Sequence, residues 1–291
     1  MKRACVFAHF DREGKVDQHV IFYLQKLCKI ASPVIFVTVS ILDQKSRDEL
    51  FATGVVIVQR DNVGYDFYSY KTGLAQLNLK DFDDVILCND SVYGPLFSLE
   101  EVFKKMDGRP CDFWGLTESY EIARHVQSYF LVFRRVLLDA EVFHRFWETM
   151  EVLEHKREIV ERYEVGLSQQ LLAAGFSLDS FVAIESPGTL IRFRQSWRQY
   201  LHTIGRRWNE KEFWLDVFQI VFMGRSIAVN PTHMEWRALL ANSDLPFIKV
   251  ELLRDNPKGI SDLSDVFNVI ESRSDYPVEL ISNHLSRVKR S

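Results

Sequence analysis

Short apolar runs alternate with amphipathic helical patterns through the first 90 residues, and this rhythm limits the possible folds more than any other feature of the chain. Residues 4–9 read as a buried strand, and residues 17–30 carry Val20, Ile21, Leu24, Leu27 and Cys28 on one helical face. A strand rich in β-branched residues follows at 33–39, a short helix at 43–52 and a third strand at 55–59. A polar, glycine-containing turn at 60–64 leads to a helix from about 68 to 77 and a fourth strand at 84–88. Alternation of this kind predicts a mostly parallel sheet with helices on both faces. Ligands of such sheets bind beyond the carboxyl ends of the strands.

The second half changes character. Residues 112–115 and 128–133 read as strands, and 136–154 and 157–174 as helices, the latter stopping at Gly175. From 192 to 224 the pattern is aromatic and helical, with Trp197, Leu201, Ile204, Trp208, Phe213, Val217 and Val221 at helix-compatible spacing. No internal repeat or low-complexity linker interrupts the chain, which favours one domain over 1–291 with a helical C-terminal elaboration.

A formal net charge of −4 argues against nucleic acid as a partner, since it provides no general attraction to phosphate backbones. Positive charge concentrates at Arg192, Arg194, Arg198, Arg206 and Arg207, and again at Arg287, Lys289 and Arg290. A solvated helix face accounts for most of the first group. Cys5, Cys28, Cys88 and Cys111 lie far apart without CxxC spacing, so neither a zinc site nor a disulfide framework is expected, and reduced thiols fit a cytoplasmic protein. The apolar run at the N-terminus is broken at once by His9, Asp11 and Arg12, giving neither a signal peptide nor a membrane span.

The polar residues gather where the expected strands end. After the first strand come His9, Phe10 and Asp11; after the third, Arg60-Asp61-Asn62-Val63-Gly64-Tyr65-Asp66; after the fourth, Asn89-Asp90-Ser91. Each has an ordinary explanation, because Asp-Asn before Gly is turn chemistry and Asn-Asp caps helices. Three strand ends carrying acids and amides, with Tyr65, Asp66 and Lys71 beside one of them, favour a shared site.

The long run from Arg60 to Leu74, the run Val85-Ile86-Leu87-Cys88-Asn89-Asp90-Ser91-Val92-Tyr93-Gly94-Pro95-Leu96, and the shorter segments His125-Val126-Gln127-Ser128-Tyr129-Phe130, Tyr163-Glu164-Val165-Gly166 and Asn230-Pro231-Thr232-His233 resemble the rhamnan synthesis protein F family. The resemblance extends from His9 to about Pro257. It implies an α/β, GT-A-like (Rossmann-like) fold with a mostly parallel central sheet flanked by helices. It also implies a glycosyltransferase that moves rhamnose or another deoxyhexose from a nucleotide-sugar onto a growing O-antigen, capsule or rhamnan. Residues 1–135 would then form the nucleotide-sugar-binding half, and 136–291 the acceptor-side and helical half.

On this resemblance the donor would meet His9, Asp11, Asp61, Asn62, Gly64, Tyr65, Lys71, Asn89, Asp90 and Ser91. The acceptor, an oligosaccharide or lipid-linked glycan, would meet Trp114, Glu118, His125, Gln127 and Tyr129. The acidic motif that holds a divalent metal in GT-A enzymes here reads Asn89-Asp90-Ser91, with one carboxylate, so Mg²⁺ or Mn²⁺ would rest on Asp90 and His233. Without metal, Lys249, Arg254 or the arginines of 192–207 would have to neutralise the leaving diphosphate. Inverting transfer needs a general base. Glu164, near the start of the helix running through Gln169 and Gln170, is the first candidate, although an acid on a first turn also suits the helix dipole. Asp66 and Glu118 compete for the role. Tyr65, Tyr93, Trp114 and Tyr129 are available to stack on base or sugar.

The tail from 276 to 290 has two readings: contact with the anionic inner face of the plasma membrane, near assembly partners, or a terminal helix docked on the domain. Two other functions compete. A Rossmann epimerase or dehydratase would need GxGxxG after the first strand, where the chain has His9-Phe10-Asp11-Arg12-Glu13-Gly14. A non-catalytic component of a polysaccharide assembly complex is favoured by the single carboxylate at Asp90.

Overall fold

The computed structural model describes residues 1–120, 122–183, 231–257 and 259–288. The basic and aromatic stretch expected to be helical at 192–224 lies outside them, as does Asn230 of the Asn-Pro-Thr-His segment. Four strands alternate with helices as the periodicity requires: β1 (Arg3–His9), α1 (Gln18–Leu27), β2 (Val34–Thr38), α2 (Gln44–Thr53), β3 (Val56–Gln59), α3 (Tyr65–Leu74) and β4 (Asp84–Asn89). Then come β5 (Val92–Tyr93), α4 (Leu99–Asp107), β6 (Phe113–Ser119), β7 (His125–Val126) and β8 (Phe130–Arg134). After α5 (Arg135–Leu138) and α6 (Glu141–Glu148), one helical rod runs from α7 (Lys156–Ile159) through a π-helical stretch (Val160–Val165) into α8 (Gly166–Ala173). It stops where Gly175 takes a φ of +91°, and β9 (Leu178–Val182) follows.

The sheet order is β3-β2-β1-β4-β8-β6, with β9 and the short β7 both against β6. Strands β1 to β4 pair in parallel, β8 is antiparallel to both β4 and β6, and β9 is parallel to β6. The fold is therefore the mostly parallel central sheet flanked by helices that the alternation predicts. Within β1, Cys5 and Phe7 join the apolar cluster under α1 and α4, while Ala4, Val6 and Ala8 join the one under α3, α6 and α8. This period-2 division is why strands buried on both faces read as continuous apolar runs. Gly73 lets α3 lie close on the sheet: a Cβ there would come within 2.2 Å of Val6 Cγ1.

The expected single helix at 136–154 is two helices, α5 and α6. The helix expected from 68 begins at Tyr65, behind Gly64 and Tyr65, which both have positive φ (67° and 53°). Residues from the C-terminal half return to the sheet. The strand β10 (Ile248–Lys249) pairs antiparallel with β5, and a third apolar cluster joins Tyr93 and Leu96 to Trp236, Ile248, Leu252, Ile270 and Ile281. The last described helix, Glu279–Val288, packs on α1. No helix among the described residues is long and apolar enough to cross a membrane, and all four cysteines are free.

Candidate active site

Strand β1 lies between β2 and β4, so the chain turns one way after β1 and the other way before β4. The crevice at their carboxyl ends is the topological switch point, where open α/β sheets bind ligands. Three strand ends are cross-linked there. His9, closing β1 and 3% exposed, bonds through Nδ1 to Thr38 Oγ1 of β2 at 3.0 Å. Its Nε2 lies 4.0 Å from Asp90 Oδ2, just beyond β4. The same Asp90 oxygen accepts the Phe10 amide at 2.9 Å.

The charge states of these groups follow from burial. Desolvation pushes the His9 imidazole down to about 4 and the Asp90 carboxyl up to about 8, with Asp66 and Asp11 also raising Asp90 and the Phe10 amide opposing them. At neutral pH both are uncharged, so the 4.0 Å approach is no ion pair. Asp66, on the first turn of α3, accepts a hydrogen bond from Asn89 Nδ2 at 2.8 Å, and burial raises its carboxyl. Asn89 Oδ1 accepts from Ser91 through both N (3.2 Å) and Oγ (2.6 Å), which shapes the turn after β4.

A second arm reaches the same region from the other half of the sheet. Tyr70, one turn along α3 from Asp66, donates to Ser128 O at 2.9 Å, and Ser128 N–H donates to Glu164 Oε1 at 2.9 Å. Glu164 is not on a first turn: it lies inside the π-helical stretch of a rod that began at Lys156, so the helix dipole does not account for it. Helices carry π turns rarely, and mostly where a side chain must be re-aimed at a functional site. Lys249, delivered by β10 beside the Asn89-Asp90-Ser91 turn, holds its ammonium 4.0 Å over the Tyr129 ring. Burial pushes Lys249 down to about 8, while the fields of Glu164, Glu251 and Asp66 pull it up.

Other expected residues take structural positions. Arg60 threads the loop after β3, donating to the carbonyls of Asp61 (2.7 Å) and Tyr65 (2.6 Å) and to Ser69 Oγ. Asp61, Asn62 and Tyr65 are exposed, and Tyr65 OH reaches only Glu154 O at 3.5 Å. Lys71 is engaged elsewhere, donating to the carbonyls of Glu148 and Met150 at 3.1 Å each. Trp114 is 1% exposed and packed on Phe103 and Phe130, so it belongs to the core and stacks on no ligand. Tyr93 is buried too, its hydroxyl 2.6 Å from His284 Nδ1.

Of the acceptor-side group, Tyr129 OH meets Thr117 Oγ1 at 2.9 Å, and Thr117 Oγ1 donates to Gln127 Oε1 at 2.7 Å. Glu118 is buried and paired with Arg124 at 2.7 Å. His125 is buried, with Nδ1 at 2.8 Å from Ala123 O. Asp11 is paired with Arg287; burial raises its carboxyl, but Arg287 and the Lys15 and Glu13 amides outweigh this and hold it low. The structure thus brings His9, Asp66, Asn89, Asp90, Ser91, Tyr129 and Glu164 together, with Thr38, Ser128 and Lys249 among them. Thr38 and Ser128 carried no signal in the sequence beyond their places at strand ends.

The described residues do not form a set that would hold a divalent ion through the protein alone. The turn after β4 offers one carboxyl, Asp90, and Asn89 is engaged by Asp66 and Ser91. His233 is buried in the helix Pro231–Met234, which packs against β10. Among the described residues no three His, Cys, Asp or Glu side chains gather as a metal set.

Comparison with known proteins follows this geometry. The chain is 28% identical over 239 residues to the virulence protein VirA of Vibrio anguillarum, covering 79% of this chain and 73% of that one. Among solved structures, the glycosyltransferase GlyE of Streptococcus pneumoniae TIGR4 aligns at a TM-score of 0.43 and 12% identity, over 99% of this chain and 64% of that one. Glucosyl-3-phosphoglycerate synthase from Mycobacterium tuberculosis aligns at 0.36 and 11%, over 63% of this chain and 83% of that one. The family model described as Rhamnan synthesis protein F matches residues 34–200, a span that takes in Asp66, Asn89, Asp90, Ser128 and Glu164. With more than half of its length matched, this chain belongs to the rhamnan synthesis protein F family.

Proposed function

We propose that the chain is a GT-A-like glycosyltransferase of surface-polysaccharide synthesis, taking its sugar from a nucleotide-sugar donor. The observation that carries this reading is the convergence of two arms at the switch point: Asp66, Asn89 and Asp90 from one side, Ser128 and Glu164 from the other. Such a site has polar groups for a phosphorylated donor and, in Glu164, a carboxyl group for an acceptor hydroxyl. In the reaction, the acceptor oxygen attacks the anomeric carbon, the bond to the diphosphate breaks with its electron pair, and Glu164 takes the hydroxyl proton. Inversion follows from this single displacement, with rhamnose or another deoxyhexose as the sugar.

We read residues 1–291 as one catalytic unit, because β10 completes the surroundings of the Asn89 turn. The acceptor would be an oligosaccharide or lipid-linked glycan at the cytoplasmic face of the membrane. The test is incubation of the full chain with uridine and thymidine diphosphate sugars and a rhamnan or lipid-linked acceptor, with release of nucleoside diphosphate measured. Transfer from one donor supports the reading. Failure to bind any nucleotide sugar or nucleoside diphosphate overturns it in favour of a non-catalytic assembly component.

A further inference from the structure

We propose that Lys249 is the cation that binds the donor's diphosphate and takes up its charge as the sugar leaves. This rests on the glycosyltransferase reading and adds the identity of the group facing the leaving group. Among the described basic residues nearby, the geometry singles out Lys249. Arg60 is committed to loop carbonyls, Lys71 to the carbonyls of Glu148 and Met150, Arg254 to its neighbour Asp255, and Arg287 to Asp11 and Asp17. Lys249 closes no ion pair or hydrogen bond with any described residue, and Lys156, whose charge also reaches it, is exposed where Lys249 is half-buried. Its ammonium rests on the Tyr129 ring, in the fields of Glu164 and Asp66. A half-buried cation left without a hydrogen-bonded anion is costly, and that cost is relieved when an anionic ligand supplies the partner.

The position is also right for the chemistry. β10 pairs with β5 so that Lys249 lies opposite Val92, and Val250 N–H donates to Ser91 O at 2.9 Å, which fixes the lysine against the turn after β4. Transfer forms the bond from acceptor oxygen to anomeric carbon and breaks the bond from anomeric carbon to diphosphate oxygen. The electron pair stays on the diphosphate, the hydroxyl proton goes to Glu164, and Lys249 remains protonated throughout. A preorganised cation at the leaving oxygen acts where charge develops in the transition state. It also fills the role that the single carboxylate at Asp90 leaves open.

The test is calorimetric binding of uridine diphosphate, thymidine diphosphate and the matching monophosphates to the full chain in EDTA. Wild type, Lys249→Met and Lys249→Arg are compared, with thermal melts confirming that each is folded. Lys249→Met is expected to weaken diphosphate binding at least about ten-fold and to abolish the advantage of diphosphate over monophosphate, while Lys249→Arg recovers most of the affinity. Wild-type affinity should also fall as pH rises through about 8, where the free lysine loses its proton; Asp90 titrates in the same range, so the lysine's share is the part of that fall that both Lys249→Met and Lys249→Arg remove. If Lys249→Met fails to fold, Lys249→Arg and the pH profile decide.

Equal diphosphate affinity in folded Lys249→Met, or a wild-type affinity that does not change through pH 8, overturns the proposal while leaving the glycosyltransferase reading in place. So does binding that disappears in EDTA and returns with Mg²⁺ or Mn²⁺, which would make a divalent ion the counter-charge. Wild type that binds no nucleotide at all overturns both.

Discussion

Glu164 and Asp90 are both acids of the switch-point crevice, yet they suit different tasks. Glu164 accepts one backbone amide, from Ser128, and lies within reach of the Lys249 charge, an arrangement that holds its carboxyl group aimed. Glu164→Gln retains an oxygen for the Ser128 amide, so the fold and donor affinity should persist while turnover falls by about 10² to 10⁴. Donor binding and turnover measured on the same preparation check this, and unchanged turnover removes Glu164 from the role of base.

Asp90 instead holds its proton, and the sign of the resulting pH dependence can be worked out. Between about pH 4 and 8 the folded chain keeps a proton on Asp90 that the unfolded chain has released, so stability falls as pH rises. The surrounding groups are His9, Asp11 and Asp66, and Asp66, itself raised, adds to the fall at the acid end. His9 opposes it: from about 4 to 6.5 the unfolded chain binds a proton that the buried imidazole refuses, so stability rises with pH. The two nearly cancel below 6.5. Between about 6.5 and 8 the Asp90 slope remains, on the order of 1 kcal/mol per pH unit, until Lys249 begins to reverse it above about 8. Asp90→Asn keeps an acceptor for the Phe10 amide and should abolish the fall between 6.5 and 8 in denaturant melts. Parallel curves for wild type and variant across that window would contradict this.

At the scale of elements, α3 carries much of the site, since Asp66 and Tyr70 face its two arms from one helix. Its seat depends on Gly73, where a Cβ would collide with Val6 and approach Val37 Cγ2 at 3.0 Å. Both obstacles are β-branched side chains of buried strands, which cannot swing away. Gly73→Ala should therefore cost about 1–3 kcal/mol by overpacking, despite the better helix propensity of alanine. A urea midpoint equal to or above that of wild type would show that α3 can shift without cost.

The same element shows what a sequence reveals. The strands β1 to β4 were legible because residues buried on both faces make unbroken apolar runs, and the polar residues after them were legible as strand ends. The start of α3 was read three residues late, because Gly64 and Tyr65 bend the backbone into positive φ and Arg60 holds that bend with side-chain bonds to the carbonyls of Val63 and Tyr65. The π-helical stretch around Glu164 has no local pattern to mark it. Lys249 could be named beside Arg254 and the arginines of 192–207 as a counter-charge for the diphosphate but not singled out, because β10 and β5 are two-residue strands whose pairing spans more than half of the chain. Trp114 and Lys71 looked like ligand contacts because aromatic and basic residues near strand ends suit both packing and binding; only the surrounding atoms separate the two.

Across the whole molecule, the loop between β1 and α1 is held by Arg287, 270 to 276 positions away. Arg287, on the last described helix, donates to Asp11 and Asp17 and approaches Glu13 at 3.4 Å. One turn earlier, His284 bonds Tyr93 and lies 3.7 Å from Asp17 while its ring meets His19 at 4.5 Å. Of the two readings of the tail, the described residues adopt the docked helix, with Ile281 buried beneath it. A guanidinium 19% exposed with three acids about it is a partly buried network, so removing it leaves Asp11 and Asp17 facing each other without a counter-charge. Asp11 N–H donates to Ser40 Oγ at 2.8 Å, and Ser40 N–H to Thr38 Oγ1, the partner of His9, so the loop is continuous with the floor of the crevice. Arg287→Ala should therefore speed amide exchange selectively across residues 10–17 and weaken donor binding several-fold, while the exchange of β4 and α3 stays slow. Exchange confined to the freed helix, with 10–17 as protected as in wild type, would mean that the loop is held by its own Asp11 and Ser40 contacts and that the last helix only covers it.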